Sequence, residues 1–287
     1  MPLRIDDASP FLDRTQLPFP SGWQSAAGRG LTIAASPDGM RVYMGANAGV
    51  WRSDDGGINW VQMTRPQPPR HTTTVPGALL VNNVYDIAVC ATNPDIVMVA
   101  ANYDIRVQSQ SGIYRSVDGG NSWTLVQPFL AATGFDAVGQ ISVAPDDPEL
   151  FYAACGAQLL QSNDSGATWS NIPLPMDWLD SVWNVAAGPA GPSGRHIYAL
   201  GSQLWVSVDG GATWAVDPNC PSEIESGAPD NAVGDSARML AIDPLNPAIL
   251  YATGMNGAVG VVWSRDDTGP MPWRSAKMPL ATAVSRR

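Results

Sequence analysis

The chain of 287 residues is poor in the side chains that most often serve as nucleophiles, general bases and metal ligands. Lys277 is the single lysine, and the two histidines, His71 and His196, lie far apart. The sequence therefore gives little support for Schiff-base chemistry, for a histidine-rich zinc site or for a Ser-His-Asp triad. Glutamate is also rare, with three residues against 23 aspartates, so any general acid or base is expected to be an aspartate.

Positive charge and paired cysteines are scarce as well. Lysine and arginine together number 16 against 26 acidic residues, and the resulting net charge of −10 disfavours nucleic acid and anionic membrane as partners. Cys90, Cys155 and Cys220 are odd in number and show no CxxC spacing, which indicates free thiols. We expect no disulfide framework, no metal site and no cofactor.

Long apolar runs are missing too, and no secretion signal is visible at the first residues. We therefore expect no membrane insertion and no anchor. By sequence alone the cytoplasm is indicated, while an extracellular location remains open if the chain is a fragment. We also expect the chain to act as a monomer.

What the sequence has in abundance is one repeated octapeptide. The four intact copies are Ser53-Asp-Asp-Gly-Gly-Ile-Asn-Trp60, Ser116-Val-Asp-Gly-Gly-Asn-Ser-Trp123, Ser162-Asn-Asp-Ser-Gly-Ala-Thr-Trp169 and Ser207-Val-Asp-Gly-Gly-Ala-Thr-Trp214. A stretched fifth copy runs from Ser264 through Asp266 and Gly269 to Trp273. The starting serines are 63, 46, 45 and 57 residues apart, a spacing typical of propeller blades.

The octapeptide has the composition of a hairpin turn. Its aspartate can accept hydrogen bonds from turn amides, its glycines tolerate positive φ, and its tryptophan can pack on a neighbouring sheet. Metal binding is the alternative, but it is less favoured because each copy offers one recurrent carboxylate rather than a cluster.

Strand-like segments surround each copy in the same order. Two apolar strands precede the octapeptide, a third leads into it and a fourth leaves from its tryptophan, as expected for the four antiparallel strands of a propeller blade. We predict an all-β propeller over residues 30–287, preceded by an N-terminal segment, 1–29. Five blades are counted, either as a closed ring or as part of a six- or seven-blade ring. Trp23-Gln24-Ser25 and Trp273-Arg274-Ser275 are the candidate latch strands.

The octapeptides resemble the Asp-box (BNR) motif, Ser-x-Asp-x-Gly-x-Thr-Trp. That motif is shared by sialidases, xyloglucanase-type glycoside hydrolases, sortilin-like receptors and photosystem assembly factors. The resemblance covers residues from about 30 to 273 and implies a propeller, but it is almost uninformative about activity because the superfamily mixes enzymes with binding scaffolds. A sialidase is disfavoured because Arg4-Ile5-Asp6 lacks the proline of the Arg-Ile-Pro pattern. Gly45–Gly49 likewise stands where a xyloglucanase-like catalytic aspartate segment would be expected.

Sequence length varies mainly on one predicted end of the propeller. Insertions at 61–83 and 215–236 lie between blades, and one at 102–111 lies between the second and third strands. All of them emerge opposite the octapeptides, at an end that we call the loop face. Insertions gathered on one face of a repeat protein indicate a binding surface.

Residues that recur in every blade are expected to be structural, and the unrepeated ones are the site candidates. The recurring aromatic and apolar positions, expected in the core, are Tyr43, Tyr152, Tyr198 and Tyr251 in the second strands and Trp51, Tyr114, Leu160 and Trp205 in the third. The candidate catalytic acids are Asp86, Asp104, Asp136 and Asp180, paired as Asp86 with Asp136 or Asp104 with Asp180. The candidate ligand-binding residues are Arg29, Tyr85, Tyr103, Arg106, Trp178, Trp183 and Arg238.

These candidates favour a ligand-binding propeller, carbohydrate-binding or glycoside-hydrolase-like. Aromatic rings stack on sugars, and two converging carboxylates suffice for glycoside hydrolysis, although solvated loop aspartates and interblade packing explain the same residues. Whether the chain is an enzyme stays open. The alternative is a non-enzymatic protein-interaction scaffold, which the acidic charge and the Pro-rich insertion from Pro66 to Pro76 would suit. Either way, the predicted partner is a glycan or a protein bound at the loop face.

Overall fold

A computed structural model describes most of the repeat region. The described residues are 30–46, 49–63, 77, 79, 84–101, 111–128, 139–156, 158–175, 181–192, 194–225, 240–243, 246, 249–256, 259–266 and 273–277. They form five antiparallel sheets, each of four strands that are neighbours in the sequence. The predicted all-β propeller with four-stranded blades is thereby confirmed, with five blades.

Each blade consists of four consecutive strands, from the innermost to the outermost. Blade one contains β1 (Gly30–Ala35), β2 (Val42–Ala46), β3 (Gly49–Ser53) and β4 (Val61–Gln62). Blade two contains β5 (Val84–Val89), β6 (Val97–Ala101), β7 (Gly112–Ser116) and β8 (Thr124–Pro128). Blade three contains β9 (Ile141–Ala144), β10 (Asp147–Cys155), β11 (Gln158–Ser162) and β12 (Ser170–Ile172).

The last two blades repeat the arrangement. Blade four contains β13 (Val182–Gly191), β14 (Gly194–Gly201), β15 (Leu204–Ser207) and β16 (Ala215–Val216). Blade five contains β17 (Leu240–Ile242), β18 (Ile249–Asn256), β19 (Val259–Asp266) and β20 (Trp273–Lys277). The only helix among the described residues is the single turn α1 (Ser222–Glu225), which follows blade four. Of the two candidate latch strands, Trp273-Arg274-Ser275 is the outer strand of blade five, and Trp23-Gln24-Ser25 lies outside the described residues.

The second and third strands of blades one to four are largely apolar because they are covered on both faces. All five residues of β6 are buried, and in β10 every residue from Leu150 to Cys155 is buried. A continuous apolar run of this length is expected for a strand with neighbouring sheets on both sides. The apolar composition of these strands therefore follows from the stacking of the blades.

The hydrophobic core is divided into four clusters, one for each pair of consecutive blades. Tyr43 of blade one packs with Ile87 and Tyr114 of blade two, and the following junctions repeat this pattern. We call the face that a blade turns to the next blade in the chain its forward face, and the opposite one its backward face. Side chains alternate between these two faces along each strand.

The recurring tyrosines were expected in the core, and one of them departs from that expectation. Tyr43, Tyr152 and Tyr198 are at most 1% exposed, as predicted. Tyr251, at the same position of blade five, is 43% exposed, so its assignment to the core is wrong. The first three lie on forward faces that meet a following blade, whereas blade five is the last blade that the structure describes.

Polar contacts reinforce the junctions at the octapeptide end. Arg52 of blade one donates to the carbonyl oxygen of Gly119 at 2.6 Å, and Arg115 of blade two donates to that of Ser165 at 2.7 Å. Both acceptors occupy the fourth position of the next blade's octapeptide. The repeat therefore links blades to each other as well as closing hairpins.

Candidate functional site

The two ends of the propeller are distinguished by the hydrogen bonds of the octapeptides, which we now call Ser–Trp turns. Each of the four intact turns lies beside the hairpin that joins the first two strands of its own blade. For example, the Gly119 amide donates to the Asp95 carbonyl and the Gly210 amide donates to the Arg195 carbonyl, both at 3.0 Å. Because the strands are antiparallel, the remaining connections leave from the opposite end. The predicted loop face is thus separate from the Ser–Trp turns.

Within a Ser–Trp turn the aspartate accepts hydrogen bonds on both of its carboxylate oxygens. In blade four the Ser207 hydroxyl donates to Asp209 Oδ1 at 2.8 Å, and Thr213 donates to Oδ1 through its amide at 2.9 Å and to Oδ2 through its hydroxyl at 2.6 Å. The Gly211 amide completes the turn by donating to Ser207 Oγ at 2.8 Å. Blades one, two and three use equivalent bonds.

These bonds also fix the ionisation of the turn aspartates. The backbone amide of Asn59 is the largest influence on Asp55 and helps lower its pKa to about 2. The hydroxyl of Thr213 is the largest influence on Asp209, whose pKa is likewise lowered to about 2. A carboxyl group with such a low pKa carries no proton near neutral pH, so it is unsuited to act as a general acid. These hydrogen bonds fit the interpretation of the octapeptide as a hairpin turn.

Asp86 is the candidate acid whose surroundings the structure describes, and it sits at a junction of three blades. Its side chain is in β5 of blade two and the residue is 2% exposed. The Thr32 hydroxyl of blade one donates to Asp86 Oδ1 at 2.8 Å, and the Ile141 amide of blade three donates to Oδ2 at 2.8 Å. Asp86 is therefore buried with a hydrogen bond on each carboxylate oxygen, and a catalytic role for it stays a prediction.

Gln140 was not singled out from the sequence, although it has a comparable position in blade three. Its backbone amide donates to the Trp183 carbonyl of blade four at 2.9 Å, and its side-chain Nε2 donates to the Leu240 carbonyl of blade five at 3.0 Å. Asp86 and Gln140 together connect all five blades. They do so around the central channel, the space that the five inner strands surround. The sequence held a signal that could have identified Gln140, because Asp86 and Gln140 both directly precede the isoleucine of the inner strand of their blade.

Four blades have a polar residue at this position of the inner strand. The four residues are Thr32, Asp86, Gln140 and Asn184. The last three are buried, with exposures of 2% for Asp86 and 5% for both Gln140 and Asn184. Since the inner strands begin at the loop face, these residues form a polar layer close to that end of the channel. This layer is the part of the candidate site that the structure describes in detail.

Trp183 and Tyr85 are the two aromatic candidates among the described residues. Trp183 lies in β13, is partly buried and is placed by blade three: a Cβ atom on Gly139 would lie only 1.9 Å from its carbonyl oxygen. Only glycine permits so close an approach of the two backbones. Tyr85 lies in β5 and packs partly buried against the cluster between blades two and three. Both residues adjoin the polar layer in the sequence, because Trp183 directly precedes Asn184 and Tyr85 directly precedes Asp86.

The other site candidates cannot be placed. The candidates outside the described residues are Arg29, Tyr103, Asp104, Arg106, Asp136, Trp178, Asp180 and Arg238. The structure places Tyr85 and Asp86 on one strand of blade two and Trp183 on blade four, and it records no contact between Trp183 and the other two. Their roles in catalysis or binding remain predictions.

A cavity of about 460 Å³ occupies the channel below the polar layer. It is lined mainly by small and aliphatic residues of the five inner strands, together with Gln140 and Ser142 of blade three. Its lining continues onto Tyr251, Thr253 and Val262 of blade five and reaches Ile33 of blade one. The cavity therefore extends from the channel into the space between the first and last blades.

The described ranges contain neither a cluster of metal ligands nor a membrane-spanning helix. No group of three or more histidine, cysteine, aspartate or glutamate side chains is arranged there to hold a metal ion. In the same part of the chain, no helix has both the length and the hydropathy needed to span a membrane.

Comparisons with known proteins identify similar propellers. No protein-family model matches the chain. A curated relative, a xyloglucanase from Paenibacillus sp., is 29% identical over 196 residues, covering 63% of this chain and 19% of the xyloglucanase. The chain thus spans about a fifth of the length of that relative.

Solved structures show the same fold at lower identity. An ancestral GH74 enzyme matches with a TM-score of 0.59 and 20% identity over 88% of this chain and 31% of its own. The GH74 enzyme of Niastella koreensis matches with a TM-score of 0.55 and 18% identity over 85% of this chain and 37% of its own. YCF48 bound to D1 peptide matches with a TM-score of 0.50 and 15% identity over 88% of this chain and 69% of its own. These likenesses define the class as a β-propeller and leave its activity open.

Proposed function

We propose that the chain is an Asp-box propeller that binds a carbohydrate at its loop face, in the manner of a glycoside-hydrolase-like propeller. The observation that carries this proposal is the 29% identity to a xyloglucanase over 196 residues. The hydrogen bonds of the Ser–Trp turns support the Asp-box assignment because they use the serine, aspartate, glycine and threonine of that motif in fixed roles. Xyloglucan oligosaccharides are accordingly the first ligands to test.

The proposed binding surface combines aromatic rings with carboxylates. Trp178 and Trp183 stack on the sugar rings, and Arg29, Tyr85, Tyr103, Arg106 and Arg238 contribute polar contacts. If the chain is an enzyme, two aspartates carry the reaction, one protonating the leaving oxygen while the other activates water or attacks the sugar. Asp104, Asp136 and Asp180 are the better candidates, because both carboxylate oxygens of Asp86 accept hydrogen bonds within the fold.

Binding is tested by isothermal titration calorimetry with xyloglucan oligosaccharides. We expect Trp178→Ala and Trp183→Ala each to weaken binding at least about tenfold, since stacking area is lost. The matched control is Ile58→Ala, which removes an exposed side chain from a Ser–Trp turn at the opposite end and should leave binding unchanged. Absence of binding to these oligosaccharides and to a broad glycan array would contradict the proposal.

Catalysis is tested separately by measuring the release of reducing sugar. An enzyme should lose this activity on a single Asp→Asn change at Asp104, Asp136 or Asp180, while its affinity for the oligosaccharide is retained. Binding without any release of reducing sugar would assign the chain to carbohydrate-binding propellers without catalysis.

A protein-interaction scaffold is the second candidate. The observation that favours it is the likeness to YCF48 bound to D1 peptide, which extends over 69% of that chain. In this case a protein ligand occupies the loop face. The binding of a protein ligand should survive simultaneous Asp→Asn changes at Asp104, Asp136 and Asp180. The same changes should abolish the hydrolysis of a sugar if the chain is an enzyme.

A further inference from the structure

The inner strand of blade four contains a β-bulge at its loop-face end. Val182 of β13 pairs with Gly201 and Asn184 pairs with Leu200, so Trp183 is the extra residue between two regular pairs. The extra residue of a bulge is left out of the strand pairing, and the local kink changes the direction of its side chain. The bulge therefore sets the direction of the Trp183 side chain.

The same irregularity recurs in other inner strands. Tyr85 of β5 lies in a bulge between Val84 and Asp86, and β1 has one at Leu31. The recurrence shows that the bulge belongs to the fold, while the residue that occupies it differs from blade to blade. Both aromatic ligand candidates among the described residues are bulge residues, and bulges are common beside binding sites.

Blade three holds the backbone around Trp183 from two sides. The Val182 amide donates to the Gly156 carbonyl at 2.7 Å, and the Trp183 carbonyl accepts from the Gln140 amide at 2.9 Å. Both partners belong to blade three, where Gly156 directly follows β10. The bulge is thereby fixed between two backbone hydrogen bonds that cross from one blade to the next.

Gly139 leaves the space that this arrangement needs. It directly precedes Gln140, as Trp183 directly precedes Asn184, and its amide donates to the Ala154 carbonyl of its own blade at 2.8 Å. A Cβ atom on Gly139 would lie 1.9 Å from the carbonyl oxygen, 2.7 Å from the carbonyl carbon and 3.0 Å from the Cα of Trp183. Because these are backbone atoms, no side-chain rotation relieves the clash, and the backbone at Trp183 would have to move.

We propose that Gly139 is a positioning residue for the ligand contact of Trp183, and that it acts through the bulge without touching the ligand. The inference rests on the proposed binding of a carbohydrate at the loop face. A ring whose backbone is fixed before binding loses less freedom when the ligand arrives, which favours affinity. A displaced backbone moves the ring away from the position in which it stacks on a sugar.

The test is isothermal titration calorimetry with xyloglucan oligosaccharides on Gly139→Ala. We expect its affinity to fall at least about tenfold, as for Trp183→Ala. The matched control is Gly194→Ala at the Ser–Trp end of blade four, where the φ is 124° and a Cβ atom would lie 2.6 Å from the Cα of Asp209. This control should lower the stability of the fold and leave the affinity unchanged.

A double-mutant cycle separates positioning from a general structural effect. In the Trp183→Ala background, Gly139→Ala should cause no further loss of affinity, because the ring through which it acts is absent. Gly156→Ala is a milder variant at the other side of the bulge, since a residue with a φ of 57° accepts alanine with modest strain. It should weaken binding about threefold, and it tests the inference even if Gly139→Ala does not fold.

Two groups of results distinguish this inference from the proposed function. Unchanged affinity in the glycine variants that fold, unchanged affinity of Trp183→Ala, or an equal loss from Gly139→Ala with and without Trp183 would overturn the positioning role and leave carbohydrate binding intact. A wild-type chain that binds no oligosaccharide would contradict the proposed function, and the positioning role with it.

Discussion

The two ends of this propeller are built by different means. At the Ser–Trp end, bonds within eight consecutive residues close each turn, and the same bonds recur in four blades. At the loop end, Asp86 and Gln140 bind partners on other blades, and their contacts are not repeated. Repeated bonds, within the turns and from Arg52 and Arg115 to the turn of the next blade, thus build the Ser–Trp end, while contacts made by single residues shape the end at which the candidate site lies.

The largest effect is expected where one side chain connects three blades. Asp86→Ala removes the acceptor of the Thr32 hydroxyl and of the Ile141 amide and leaves both donors buried. Because hydrogen bonds to a charged group contribute about 1.5–3 kcal/mol, we expect the free energy of unfolding to fall by about 3 kcal/mol. Urea unfolding measures this change.

Asp86→Asn is the matched variant, since it keeps the volume and one acceptor oxygen. It should lose about half as much stability as Asp86→Ala. If Asp86→Asn instead left stability unchanged and abolished release of reducing sugar, Asp86 would act as a catalytic residue rather than as a link between three blades.

A smaller effect is expected at the Ser–Trp end, where one residue serves one turn. Ser207→Ala removes the acceptor of the buried Gly211 amide and a donor to Asp209. We expect a loss of about 1.5 kcal/mol in the free energy of unfolding. The control is Ser170→Ala, an exposed serine whose hydroxyl donates to the Gln161 carbonyl at 3.3 Å, and its effect should lie within about 0.5 kcal/mol. Equal losses for the two variants would show that the hydrogen bonds of Ser207 in the turn stabilise the fold no more than an exposed hydroxyl does.

The contrast between the ends also explains how much the sequence could predict. The Ser–Trp turns, the strand order and the separation of the two faces follow from a pattern visible within each octapeptide and its flanking strands. The partners of Asp86 are 54 and 55 residues away in the chain, so its burial at a blade junction could not be distinguished from a place in a solvated loop. The exposure of Tyr251 was hidden for a related reason, because sequence shows that a face is apolar but not whether another sheet covers it.

The smallest expected effect lies at the one Ser–Trp turn that departs from the repeat. Ser165 adopts a φ of 55°, at the position where the other three turns have Gly56, Gly119 and Gly210 with φ of 71°, 69° and 77°. A left-handed conformation costs a non-glycine residue roughly 1–2 kcal/mol, and the greater freedom of glycine in the unfolded chain offsets part of that gain. We expect Ser165→Gly to raise the free energy of unfolding by about 0.5 kcal/mol, and the reciprocal Gly210→Ser, at a glycine where an added Cβ meets nothing within 4 Å, to lower it. Because Ser165 contributes its backbone carbonyl to Arg115 and its amide to the Glu149 carbonyl, neither interblade nor turn bonds are lost in this exchange. A destabilising Ser165→Gly, measured by urea unfolding beside the reciprocal variant, would mean that the side chain at this position contributes contacts beyond the conformation of the turn.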